Sequence, residues 1–146
     1  MNVEIYSRKG IEELIREGFP PGKAVISFYS PCRTRDVRVS YDGVCDCVFY
    51  VGIPDLDREV LGQYGYTEES FLEEANLLAA FIFEAKKKDL GIICQCDFGQ
   101  SRSAACAAAI LEYFEGRGLE LFADYRYYPN QLVYHKVMDA LTAYGK

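Results

Sequence analysis

The chain has 146 residues, half of them hydrophobic, and a formal net charge of −6 at neutral pH. That length suits one compact domain over residues 1–146, burying about 70% of the surface that the unfolded chain exposes. The negative charge speaks against a nucleic-acid partner, because phosphate backbones are held by clustered Lys and Arg.

In chain order, "VEIYS" reads as a short strand, and "RKGIEELIREG" sets Ile11, Leu14 and Ile15 on one helical stripe before a glycine stop and Pro20-Pro21. "KAVISFYS" is a second, apolar strand, followed by an irregular stretch and a third strand, "VCDCVFYVGI". "PDLDREVLGQYGY" holds Pro54, two glycines and several charges, the composition of a mobile loop. Thr67 is placed to cap a long helix that carries Glu68 and Glu69 in its first turn and Lys86 to Lys88 in its last, both suited to the helix dipole. "LGIICQC" is the fourth strand, "SAACAAAILEYFEG" the next helix, and "PNQLVYHKVMDALTAY" a last helix opened by Pro129. Alternating strands and helices predict an α/β fold, a mainly parallel sheet flanked by helices. Strands this apolar are covered on both faces.

No run of about 18 apolar residues marks a membrane span, and "MNVEIYSRKGIEEL" lacks the layout of a signal peptide, so a cytoplasmic protein without membrane partner is expected. Six cysteines are present: Cys32, Cys45, Cys47, Cys94, Cys96 and Cys106. In such a chain they stay reduced. The two C-x-C pairs, 45/47 and 94/96, have the wrong spacing for zinc, and residues i and i+2 of a strand stand about 6.6 Å apart along the chain. Cys45, Cys47, Cys94 and Cys106 read as packing residues.

Residues 94–103, "CQCDFGQSRS", lie where the fourth strand hands over to a helix, the place where parallel α/β sheets bind ligands. A loop entering a helix turns backbone N–H groups inward, and the helix terminus adds partial positive charge, making an anion cradle. Gly99 allows the sharp turn. Arg102 can grip two oxygens of a tetrahedral anion with its planar fork. Beside amides, dipole and guanidinium, the Cys96 sulfur is favoured as thiolate, with Ser103 placed to donate a hydrogen bond to it. Asp97, Phe98, Gly99, Gln100 and Ser101 line the cradle. A thiolate facing bound phosphate or sulfate-like anions points to phosphoryl transfer to sulfur.

This C-x5-R-S pattern resembles the signature of cysteine-based protein tyrosine and dual-specificity phosphatases, in particular small bacterial members. "YVGIPDLD" at 50–57 is similar to the segment that supplies their general acid, and "RYYPN" at 126–130 to the helix start after their active-site helix. The resemblance implies the fold of those enzymes and hydrolysis of phosphomonoesters through a phosphocysteine on Cys96, without metal or other cofactor. It makes Asp57 the proton donor, by its offset from Ile53-Pro54, with Asp55 the rival on the same segment. Residues 58–70 form an enlarged loop near the site. One departure is Gln95, where the family usually has histidine, and it gives footing to the alternative of a phosphoprotein-binding module with little turnover. Sulfur transfer and arsenate reduction also use a cysteine in an anion loop, but Ser103 and "IPDLD" favour the phosphatase. Asp97 and Gln100 disfavour a polyanionic lipid headgroup, which leaves a phosphoprotein or phosphopeptide as substrate, tyrosine or serine/threonine. His135, the single histidine, reads as structural. Tyr125, Tyr127 and Tyr128 read as packing residues or a pocket lining, and Arg33, Arg35 and Arg38 as a solvated loop or a contact for a second phosphate or an acidic peptide.

Overall fold

The computed structural model describes residues 1–146. Four strands, β1 (Val3–Tyr6), β2 (Lys23–Tyr29), β3 (Val48–Gly52) and β4 (Gly91–Gln95), form one sheet in the order β1-β4-β2-β3. Every pairing is parallel. The expected α/β architecture is present, with a wholly parallel sheet.

Strand alternation divides the side chains between two layers. Ala24, Ile26 and Phe28 of β2 and Ile92 and Cys94 of β4 face the larger core. That core is filled by α2 (Ala75–Lys87), α3 (Arg102–Glu115) and α5 (Gln131–Tyr144). Leu78, Ile82, Ile110 and Leu141 are fully buried there, each contributing about 1.5–3 kcal/mol by leaving water. The alanines of α3 let this helix lie close to the sheet, and it is buried from Arg102 to Ile110. Val25 and Ile93 point the other way, into a smaller cluster with Ile11 of α1 (Arg8–Glu17) and with Val39 and Tyr41 of the long β2–β3 connection.

Several local expectations are corrected. The third strand begins only at Val48: Tyr41 to Val44 close a turn in which the carbonyl of Tyr41 accepts from the N–H groups of Val44 and Cys45, so Cys45 and Cys47 stand before the strand. The segment expected as a mobile loop is largely ordered into a 3-10 helix, Arg58–Tyr64, ended by Gly65 at φ 82°. Thr67 does cap a turn, its hydroxyl accepting from the Ser70 N–H at 3.1 Å. The helix does not run on from there, because Leu72 takes φ 55° and α2 begins at Ala75. Full burial of the Leu72 side chain offsets a backbone cost of about 1–2 kcal/mol. Pro129 precedes the capping residue Asn130, which accepts from the Val133 N–H at 2.9 Å, so α5 opens one turn position later than expected. A short helix, α4 (Leu119–Ala123), was not foreseen. No helix is long and apolar enough to cross a membrane.

Candidate active site

The loop between β4 and α3 rests on the β1–α1 turn. The Cys96 N–H donates to the Tyr6 carbonyl at 3.3 Å, and the Arg8 N–H donates to the Asp97 carbonyl at 3.1 Å. Gly99, at φ 68°, lies so close that a Cβ there would stand 2.7 Å from the Ser7 nitrogen. On the far side, the carbonyls of Gln100 and Ser101 accept from the N–H groups of Tyr128 and Asn130 at 2.8 and 3.2 Å. The loop's carbonyls are thus drawn outward into the scaffold. The N–H groups from Asp97 to Arg102 donate to no acceptor in the protein, and they stand at the positive end of α3.

Cys96 is 2% exposed, and its sulfur lies 3.0 Å from the Ser103 hydroxyl. Arg102 is 4% exposed. Its Nη1 donates to the Ser30 hydroxyl at 3.0 Å and to the Ile53 carbonyl at 2.7 Å, which fixes the plane of the guanidinium from two other strand ends. Nη2 meets Asp97 Oδ2 at 3.2 Å. Nε is the single buried side-chain polar atom without a partner. An arginine fork with its inner nitrogen unsatisfied, beside unpaired amides, can hold a tetrahedral oxyanion bidentately.

The two candidate acids differ in surroundings. Asp55 Oδ1 accepts from the Ser101 hydroxyl and from Asn130 Nδ2, both at 2.8 Å. Asn130 Nδ2 also reaches the Leu56 carbonyl at 2.9 Å. Asp57 stands at the mouth of the 3-10 helix with no capping hydrogen bond from its side chain. A cleft of about 460 Å³ beside the loop is lined by both carboxylates together with Arg58, Ser101, Tyr128 and Asn130. Cys96 lies outside that lining.

Gln95 points away from Cys96, as alternation along β4 requires. It is 1% exposed, and its Oε1 accepts from the Ser27 hydroxyl at 2.5 Å and the Tyr41 hydroxyl at 2.9 Å. Burial holds the Tyr41 phenol well above its usual range. The side chain before Cys96 is therefore held in a neutral network on the opposite face of the sheet.

The remaining candidates lie around the site or away from it. Phe98 and Tyr128 are exposed beside the loop, and Tyr125 is exposed beyond it. Arg33 and Arg35 are exposed on the connection that begins at Ser30, while Arg38 pairs with Asp36 at 2.8 Å and stacks over Tyr50. His135 is exposed on α5, in a shallow groove with Glu68, Glu69 and Asp139. Behind Cys96, contact with Cys106 and full burial push the Cys94 thiol well above the ordinary range. Cys32, exposed in the β2–β3 connection, has its thiol lowered to about 7 by hydrogen bonds from Thr34.

Sequence reasoning did not anticipate Ser27, Ser30, Tyr41 or Asn130 as parts of this site. Asn130 was within reach through "PN" before the last helix; the other three carry no local signal, since their roles arise from contacts across the sheet.

No protein-family model matches the sequence, and no curated protein matches it. Among solved structures, the chain is similar to the human tyrosine phosphatase-like serine/threonine/tyrosine-interacting protein, with TM-score 0.59 and 14% identity over 96% of this chain and 87% of that one. It is similar also to human DUSP28, with TM-score 0.59 and 16% identity over 98% and 93%, and to a single-residue variant of that protein, with TM-score 0.58 and 17% identity over 98% and 91%. The chain has the fold of the dual-specificity, cysteine-type tyrosine phosphatases, as the resemblance in its sequence implied.

Proposed function

We propose that this chain hydrolyses phosphomonoesters of phosphorylated proteins through a covalent phosphocysteine on Cys96. The observation that carries this reading is the buried Arg102 guanidinium, whose Nε has no protein partner, beside a run of undonated backbone amides and a thiol 3.0 Å from a hydroxyl. A phosphoryl group seated on these donors lies in front of the sulfur. Cys96 Sγ attacks phosphorus as thiolate, the bond to the leaving oxygen breaks, and Asp57 protonates that oxygen. Water then attacks the phosphocysteine, Asp57 takes its proton, and the phosphorus–sulfur bond breaks, with the Ser103 hydroxyl donating to the departing sulfur. Asp97, Phe98, Gly99, Gln100 and Ser101 supply the cradle.

Asp57 suits the donor role because its carboxylate is uncommitted, whereas Asp55 ties the acid segment to Ser101 and Asn130. Turnover of p-nitrophenyl phosphate, unchanged by EDTA, with phosphate release abolished in Cys96→Ser, is the expected result. Full activity in Cys96→Ser refutes the mechanism.

A second reading is favoured by one observation. Gln95, the residue before Cys96, is held with its two hydroxyl donors in a neutral network that faces away from the sulfur, and a cradle of this kind also serves a module that holds phosphoproteins with little turnover. Phosphopeptide binding without hydrolysis by the wild-type chain would select that reading.

A further inference from the structure

Arg102 offers an oxyanion the edge formed by Nε and Nη2, because Nη1 is already committed to Ser30 and Ile53. Half of that edge is taken by the chain itself: Asp97 Oδ2 sits 3.2 Å from Nη2. The partners are unequal in mobility. Arg102 is held at both Nη1 contacts and is 4% exposed, whereas the Asp97 side chain is 38% exposed. The Asp97 backbone is fixed by the Arg8 N–H, so only its side chain is free to rotate outward. The structure records no second hydrogen-bond donor to the Asp97 carboxylate.

We propose that Asp97 is an internal competitor for the phosphoryl-binding edge of Arg102, displaced to the rim when substrate binds, where its carboxylate selects phosphoryl substrates with a cationic side chain next to the phosphorylated residue. This rests on the phosphatase reading of the same loop. The argument is electrostatic. A phosphoryl dianion and a carboxylate cannot share one guanidinium edge without repulsion, and a like charge at contact distance weakens anion binding by a factor of ten or more. Once turned outward, the carboxylate stays tethered at the cradle. The exposed Glu59 lines the cleft beside the loop, and its neighbour Arg58 is already paired with Glu68, so a basic flank of the substrate meets negative charge on two sides. Arg33 and Arg35 set up the opposite preference, and the test separates them.

The test measures binding of inorganic phosphate by titration calorimetry, and kcat/KM for two matched phosphopeptides, one with arginine and one with glutamate beside the phosphorylated residue. Asp97→Asn, with Asp97→Ala as a second variant, is expected to bind phosphate about ten-fold more tightly than wild type. Wild type is expected to prefer the arginine-flanked peptide, and both variants to lose most of that preference. Equal phosphate affinity in wild type and both variants overturns the proposal, as does a wild-type preference for the glutamate-flanked peptide, while either leaves the phosphatase reading standing. Absence of phosphate binding in wild type and variants alike overturns both readings.

Discussion

Tyr41 and Gln95 meet through one buried hydrogen bond, 2.9 Å from the phenol to Oε1, that joins the long β2–β3 connection to the last residue of the strand leading into Cys96. The same oxygen accepts from Ser27 at 2.5 Å. A glutamine can serve two hydroxyl donors here without any change of charge, so the strand end is held identically across the pH range in which a histidine would titrate.

Replacing Tyr41 by Phe removes one donor from this network and is expected to cost about 1 kcal/mol. Gln95→Leu strands two hydroxyls in the interior and is expected to cost about 2–4 kcal/mol. Urea denaturation of the single variants and of Gln95→Leu combined with Tyr41→Phe measures both. The double variant is expected to be less destabilised than the sum, because the phenol no longer lacks a partner. Simple additivity would show that the hydroxyls are not coupled through Gln95.

Gly99 combines φ 68° with backbone of Ser7 at 2.7 Å from where a Cβ would stand. Gly99→Ala cannot be absorbed by a side-chain rotation, since its neighbour is main chain. The expected cost is at least about 1–2 kcal/mol, paid first in the loop itself. Phosphate binding should therefore fall more steeply than thermal stability. An alanine variant with wild-type affinity would mean that the loop is not held in the anion-binding conformation.

The two acids separate by leaving group. Asp57→Asn is expected to lower kcat about 100-fold for an alkyl phosphate and far less for p-nitrophenyl phosphate, whose leaving oxygen needs little protonation. It should also remove the basic limb of the pH–rate profile. Asp55→Ala breaks the contacts to Ser101 and Asn130, so it is expected to raise KM and lower stability by about 1–2 kcal/mol while keeping the basic limb. Loss of that limb in the Asp55 variant alone would exchange the roles.

Cys32 provides a reactivity prediction. Its thiol is lowered from 9.0 to about 7, first by hydrogen bonding to Thr34. Below that value it is thiol and slow; as pH rises through about 7 it becomes thiolate and nucleophilic. Alkylation by iodoacetamide, followed by peptide mass analysis, is expected to reach half its limiting rate near pH 7 at Cys32, and Thr34→Val should move the midpoint upward. Cys94, buried against Cys106, should stay unmodified in the folded chain. A Cys32 midpoint near 9 would show that the Thr34 contact does not stabilise the thiolate.

Much of the β4–α3 loop was legible in the sequence, because its shape is settled over a few consecutive residues. A strand, a glycine able to take positive φ, an arginine and a helix start together determine where the amides from Asp97 to Arg102 point. Alternation along β4 likewise implies that Gln95 and Cys96 face opposite layers. What alternation could not supply was the company each keeps. Ser27 and Tyr41 reach Gln95 across 68 and 54 residues of chain, and Ser30 and Ile53 reach Arg102 across 72 and 49. Such contacts follow from strand order, which no local pattern encodes. The break at Leu72 and the late start of β3 belong to the same class, since burial of Leu72 and the turn at Tyr41 outweighed runs that favour continuous helix and strand. Local sequence determined the course of the β4–α3 loop; only the assembled sheet decided which groups hold Arg102, Asp55 and Gln95, because side chains far apart in sequence acquire partners only when the strands are laid side by side.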